Sequence, residues 1–339
     1  MKVCIVGAGA IGGFLGARLA AAGGSDVSAL ARGATLEALR THGWRLQLGG
    51  ALVQAPARAS DKAADLGVQD LVVIAVKGPA LTGVAKSIAP LIGSQTVVLP
   101  AMNGVPWWFF DGVTGPYAGV RLDSVDPGGV IGRAIPTASV IGCVVHVSAA
   151  TSEPGVVAHG IGDRLIVGEI DGRDSTRLAR LVELFSRAGI TVKTSARIRT
   201  DIWYKLWGNL TMNPVTALTG ATGDRVLDDP LVRGFCVAAM EEAATIGRKI
   251  GCDVGQTPED RHVITRKLGA FRTSMLQDVE AGRPLEIDAI VGAVREIGLK
   301  VDVATPNIDV LLGLVRLFAR VRGLYPLDGA APSPSAQSA

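Results

Sequence analysis

Charge is scarce in this 339-residue chain: Asp, Glu, Lys and Arg together make up 19% of it, and the net charge is only +3. The basic residues are scattered, so the stripe of Lys and Arg with interleaved aromatics that a nucleic-acid surface requires is missing. With 48% hydrophobic residues the chain has ample material for a core and too little charge for disorder. Long apolar runs are also missing. The run at 71–76 is strand-length, the run at 14–22 is broken by Arg18, and only four apolar residues follow Lys2 before glycines take over. Neither a membrane span nor a secretion signal is therefore expected, and the expected location is the cytoplasm. Four cysteines (Cys4, Cys143, Cys236, Cys252) lack metal-ligand spacing and read as buried, reduced thiols of a cytosolic protein. The four histidines (His42, His146, His159, His262) form no ligand or triad pattern, so no metal site is expected. Aromatics make up only 4%, yet four of them are consecutive: Trp107, Trp108, Phe109 and Phe110.

The length points to two domains. Through the first half, short buried-strand runs (3–6, 27–31, 71–76, 96–99) alternate with helical patterns such as 12–22. These runs are continuous Val, Ile and Leu, the texture of a parallel sheet covered on both faces, and their rhythm predicts a doubly wound α/β sheet. Runs at 140–147 and 165–167 read as later strands, open to antiparallel pairing, and 178–188 as an amphipathic helix stopped by Gly189. After residue 196 long helical patterns take over at 197–213, 230–250, 258–281, 285–297 and 305–322. The expected organisation is a dinucleotide-binding domain over 1–196, an all-helical domain over 197–325 and a disordered Ala/Pro/Ser-rich tail over 326–339.

The first strand runs into Gly7-Ala8-Gly9-Ala10-Ile11-Gly12, which opens a helix. Such a glycine pattern alone is weak, but strand before and helix after are the context a dinucleotide fingerprint needs. Gly7 permits the tight turn, Gly9 lets backbone approach a pyrophosphate and Gly12 lets helix and strand pack closely. The anion would rest on the helix N-terminus. Twenty residues after Gly12, where NAD enzymes place a carboxylate, stands Arg32, and no acidic residue lies over 27–33. A guanidinium there suits the 2′-phosphate of NADPH; a solvent-facing arginine is the alternative. Lys77 and Asn103-Gly104 each follow a strand, where an open α/β sheet binds ligands, although Lys77 reads equally as a surface lysine.

Lys205, Asn209 and Asn213 recur at i, i+4, i+8 in a mostly apolar segment, so they share one helix face. Buried, they need partners or a ligand, and a lysine there suits a proton donor to a ketone; exposed, they are a polar stripe. Pro214 is expected to kink or end this helix. Glu286, after Gly282-Arg283-Pro284, falls in the first turn of the next helix, an electrostatically ordinary place for an acid.

Taken together, GAGAIG at 7–12, Arg32, the VIAVK ending in Lys77, MNG with Asn103, WYKLWGNLTMNPVTAL at 203–218 and TSMLQD with GRPLEIDAIVG at 273–292 resemble the ketopantoate reductase family over residues 1–320. The resemblance implies a Rossmann domain followed by a helical domain, as in 6-phosphogluconate dehydrogenase-like folds, with the active site between them. It implies NADPH-dependent reduction of 2-dehydropantoate to (R)-pantoate in pantothenate and coenzyme A biosynthesis. By motif, Lys205 would be the general acid, Glu286 would bond the substrate hydroxyl, and Ser274 would bind the carboxylate end. Asn209 and Asn213 would fix substrate and lysine, Asn103 would sit between cofactor and substrate, and Lys77 would lie near the nicotinamide ribose.

The sequence departs from the compact family pattern at 105–137, where the aromatic run opens a longer segment beside the expected nicotinamide pocket. It packs a loop or lines the pocket, and in the second case it admits a bulkier 2-oxo acid or another ketone. A non-catalytic NADPH sensor on the same fold would need the glycine loop but not Lys205, Asn209 and Glu286. The expected partner is a small 2-oxo acid, with a homodimer as the default assembly.

Overall fold

The computed structural model describes residues 1–327; of the expected tail, Pro326 and Leu327 are described and 328–339 lie outside the described residues. The N-terminal half alternates β1 (Lys2–Val6), α1 (Ala10–Ala22), β2 (Asp26–Leu30), α2 (Gly33–His42), β3 (Trp44–Leu48), β4 (Ala51–Ala55), β5 (Arg58–Ser60), α3 (Ala63–Leu66), β6 (Leu71–Ile74), α4 (Gly78–Ser87) and β7 (Val97–Pro100). Five of these strands form a parallel sheet in the order β5-β2-β1-β6-β7. Strand β6 is buried at every position and β1 at all but its first, because helices cover both faces. The chain winds one way from β1 to β2 and crosses to the other side at β6, so a crevice opens above β1 and β6.

The doubly wound sheet is not the whole of this half. After α5 (Val130–Ala134) come β8 (Ile141–His146), β9 (Ala149–Glu153), β10 (Val156–His159), β11 (Arg164–Glu169), α6 (Thr176–Arg187) and β12 (Thr191–Thr194). Strands β12-β11-β8 form a second sheet, antiparallel between β11 and β8, joined to the first by a single bridge from Val98 to Val140. A third sheet, β4-β3-β10-β9, packs on α1. Its close approach depends on glycine: a methyl at Gly16 would strike the Trp44 ring at 2.4 Å, and one at Gly13 would strike Val157 at 2.5 Å. The β3–β4 hairpin turns at Gly49-Gly50, both at positive φ, a turn signal in the sequence that periodicity alone passes over.

From Ile198 onward the described chain is helical: α7 (Ile198–Thr219), α8 (Gly223–Asp228), α9 (Pro230–Lys249), α10 (Pro258–Arg266), α11 (Ser274–Glu280), a π-turn at Asp288–Gly292, α12 (Ala293–Lys300) and α13 (Pro306–Val321). Three expectations need correction. Pro214 does not end α7, which runs on to Thr219 and stops at left-handed Gly220. An interior proline costs about 3 kcal/mol. Here the surrounding segment 210–217 is buried throughout, so packing outweighs that cost. The expected helix over 258–281 is two, because Gly269 adopts positive φ and Phe271 turns its ring onto Gly223 of α8. The helix expected over 285–297 starts at Ile287, leaving Glu286 just ahead of it rather than in its first turn. No helix among the described residues is long and apolar enough to cross a membrane.

Candidate active site

A cleft of about 770 Å³ lies at the carboxyl ends of β1, β2, β6 and β7, with α7 and the segment before the π-turn as its far wall. At the near end the glycine loop is built as a cradle. Gly7 has φ +90° and packs against Val76, while a methyl at Gly12 would meet the Gly7 carbonyl at 2.0 Å, so the loop and α1 are in direct contact. A methyl at Gly9 would meet nothing within 4 Å. Gly9 caps α1 with no side-chain hydrogen bond, so no cap side chain occupies the first-turn N–H groups, those of Ala10 and Ile11 included; of the loop itself, Gly7 lines the cleft. Ala8 is buried beneath the loop. Arg32, exposed at the end of β2, lines the cleft, and no acidic residue lines it at that end. Loop and arginine thus fit a nicotinamide dinucleotide at this end of the cleft.

At the far end, α7 turns four residues of one face to the cleft: Ile202, Lys205, Leu206 and Asn209. The Lys205 ammonium donates to Asn103 Oδ1 at 2.9 Å and to the Val145 carbonyl at 2.5 Å. Burial pushes its pKa down to about 8; Arg261 pushes the same way, and Glu286 opposes. Cys143 is neutral at that pH, because burial raises its thiol to about 12. Asn103 also lies beside Glu286, whose Oε1 accepts from Gly78 N at 3.1 Å, and burial raises the Glu286 carboxyl above its usual range. Lys205, Asn103 and Glu286 therefore stand in one row on the cleft wall, though they come from three distant parts of the chain.

The other nominated residues divide. Asn213, two turns beyond Lys205, is buried off the cleft, and its Nδ2 has no hydrogen-bond partner among the described residues. Ser274 is exposed at the first turn of α11 and does not line the cleft; its neighbour Thr273 caps α11 and shares a 2.6 Å hydrogen bond with Thr216 of α7. Lys77 stands at the start of α4 and pairs with Asp278, which Arg283 also binds at 3.0 Å. That pair and the Gly78–Glu286 bond tie the sheet domain to the helical domain.

All four residues of the aromatic run are buried, but only Trp107 and Trp108 reach the cleft; Phe109 and Phe110 stack edge to face in the core. The segment is a fixed wall rather than a flap. Glu296 of α12 accepts from the N–H groups of Asp123 and Ser124 and from the Ser124 hydroxyl, and Arg199 donates to the carbonyls of Phe109 and Asp111. Gly104, at φ +84°, lies so close to Ala289 of the π-turn that a methyl would approach its carbonyl to 2.5 Å. Sequence reasoning missed Asp288 and Tyr325, which also line the cleft and are joined by a 2.6 Å hydrogen bond. Asp288 stands two residues after Glu286 in the GRPLEIDAIVG segment but is not singled out there, and no spacing or motif marks Tyr325. No group of His, Cys, Asp or Glu among the described residues is placed to hold a metal.

Comparisons with known proteins cover both halves. Residues 3–107 match the family described as ketopantoate reductase PanE/ApbA, and residues 197–319 match its C-terminal counterpart. A 2-dehydropantoate 2-reductase from Mesorhizobium japonicum is 47% identical over 96% of this chain and 100% of its own. A crystal structure from Ralstonia solanacearum MolK2, itself named only provisionally as a ketopantoate reductase, superposes with a TM-score of 0.92 at 61% identity, covering 95% of this chain and 99% of that one. A PanE/ApbA family ketopantoate reductase from Ralstonia eutropha JMP134 gives a TM-score of 0.82 at 26% identity, over 95% and 100%.

Proposed function

Because the chain belongs to the ketopantoate reductase family and is an oxidoreductase with a nicotinamide-binding Rossmann domain, we propose that it reduces the ketone of 2-dehydropantoate to (R)-pantoate with NADPH, in pantothenate and coenzyme A synthesis. The observation that carries this reading is the row Lys205–Asn103–Glu286 on the wall of a cleft whose other end is lined by Gly7 of the glycine loop and by Arg32.

The loop Gly7–Gly12, with the first turn of α1, holds the pyrophosphate, and Arg32 takes the 2′-phosphate. When bound, the reduced nicotinamide supplies hydride to the carbonyl carbon. Negative charge then grows on the carbonyl oxygen, and Lys205 meets it with an ammonium that both stabilises charge and gives up a proton. A pKa of about 8 keeps that proton in place at neutral pH while making its release less costly than from a solvated lysine. Asn103 and the Val145 carbonyl aim the ammonium. Glu286 accepts the substrate hydroxyl and Asn209, which lines the cleft one turn beyond Lys205, positions the substrate; Asn213 and Ser274 lie off the cleft and do not touch a substrate in this arrangement. Lys77 would serve the nicotinamide ribose from the start of α4 and, through its pair with Asp278, steadies the two domains.

The deciding assay is NADPH oxidation with a panel of 2-oxo acids that includes 2-dehydropantoate. Turnover of 2-dehydropantoate above the rest is expected, and no turnover of any member would leave a cofactor-sensing protein instead. A second reading, a bulkier 2-oxo acid as the preferred substrate, is favoured by Trp107 and Trp108 lining the cleft just beyond Asn103 and Gly104. The same panel separates it from the first.

A further inference from the structure

A second carboxylate lines the cleft besides Glu286. It belongs to Asp288, and no step of the proposed reaction uses it. Asp288 opens the π-turn, and the segment after Gly104 is clamped beside it: the Val105 N–H donates to the Ala289 carbonyl at 2.8 Å. A methyl at Gly292 would lie 3.5 Å from Asp288 Oδ1 and 3.7 Å from Ser124 Cβ, so Asp288 and Ser124 border the same space. Residues 324–326 close it from the helical domain. The Leu285 N–H donates to the Leu324 carbonyl, and Tyr325 donates its hydroxyl to Asp288 Oδ1 at 2.6 Å. Trp107, Ser124, Val125, Pro127, Asp288 and Tyr325 thus line one lobe of the cleft.

The side-chain polarity of this lobe is one-sided. The Tyr325 hydrogen goes to Asp288, the Ser124 hydroxyl donates to Glu296 Oε2 at 2.6 Å, and the Trp107 indole N–H is buried. What remains is acceptors. The second Asp288 oxygen, Oδ2, accepts from no side chain or backbone group among the described residues. Burial raises the Asp288 carboxyl above its usual range, and Arg316 and Arg320 of α13 oppose that rise. Two arginines already offset the charge, so a neutral donor suits Oδ2 better than a cation. A hydroxyl on an apolar arm supplies that donor while its carbons lie against Trp107, Val125 and Pro127. Resting on the reading of the chain as a reductase whose cleft admits a bulkier 2-oxo acid, we propose that this lobe is a second substrate subsite: Asp288, held in place by Tyr325, accepts a hydrogen bond from a hydroxyl at the far end of the substrate side chain.

The test titrates the full chain, loaded with NADP+, by calorimetry. The probes are unbranched 2-oxo acids in sets of equal length, ending in a methyl group, a hydroxyl or a methyl ketone. At one chain length the hydroxyl is expected to tighten binding about tenfold over the methyl. Asp288→Ala should abolish that gain and leave the affinity for the methyl-ended acid and for NADPH as in wild type. Asp288→Asn keeps an acceptor for Tyr325 and turns an N–H toward the lobe, so it should favour the methyl ketone, a reversal that damage to the fold does not produce. Tyr325→Phe leaves the ring beside Arg320, 5.7 Å from its centre, and should lose part of the gain. No gain at any length, a gain that survives Asp288→Ala, or losses shared equally by all three probes would each overturn the proposal. Binding is read without turnover. A chain that reduces none of these acids would therefore overturn the reductase reading, while the titrations still decide the subsite.

Discussion

Lys205 is the residue on which the proposed chemistry turns. Removing a general acid typically costs about 10²–10⁴ in rate, so Lys205→Ala should lose that much in kcat while NADPH titrations, followed by fluorescence, stay near wild type. Near-normal turnover would sink the mechanism. Its pH dependence has a definite sign. Reduction needs the ammonium, and burial brings its pKa down to about 8. The rate of ketone reduction should therefore be flat below that value and fall about tenfold per unit above it. A solvated lysine would hold the plateau past pH 10. Arg32 belongs to the same scale. Charge-assisted hydrogen bonds are worth roughly 1.5–3 kcal/mol, so Arg32→Ala should weaken NADPH binding about 10- to 150-fold and leave NADH binding nearly unchanged. Equal losses for both cofactors would assign Arg32 another role.

Among the elements, the glycine loop and the aromatic wall show how one motif divides into fold and function. Gly9 faces open space and Gly12 faces the Gly7 carbonyl. Gly9→Ala should accordingly keep the melting temperature and lose cofactor affinity, whereas Gly12→Ala should lose stability outright, by several kcal/mol if the helix cannot shift. Two equal melting curves would contradict this division. In the wall, truncating any of the four aromatics removes core packing at about 3–5 kcal/mol each. Only Trp107→Ala and Trp108→Ala should also reorder the preference among 2-oxo acids, because Phe110 packs against Phe109 and Tyr117 instead of the cleft. A reordering by Phe110→Ala would mean that the wall acts as one unit.

Across the whole molecule, the cleft exists because two domains meet there, and the buried carboxylate of Asp278 is one of the polar groups that hold them together. Asp278, buried, is paired with Lys77 of the sheet domain and Arg283 of its own. Asp278→Asn should raise KM for both cofactor and substrate while leaving the rate at saturation within a few-fold, since it loosens closure without touching the reacting atoms. A selective loss of kcat with both KM values intact would place Asp278 in the chemistry itself.

The sequence by itself determined the parts whose physics is local. Continuous Val/Ile/Leu runs specify strands buried on both faces, GAGAIG between strand and helix specifies an anion cradle, and the i, i+4, i+8 spacing puts Lys205, Asn209 and Asn213 on one face whatever surrounds them. It left open what depends on partners far along the chain. Whether Lys205 was a surface lysine or a buried one was decided by Asn103 and Val145, 102 and 60 residues away. Glu286 looked like an ordinary helix-start acid, and it became part of the site through Gly78, 208 residues earlier. Pro214 remained helical because a buried shell outweighed its local cost, and Gly269 broke a helix because Phe271 had a glycine to pack upon. Local periodicity fixes which side of an element is apolar. Only the tertiary structure decides what that side meets, because desolvation and hydrogen-bond partners are supplied by residues brought together in space rather than in sequence.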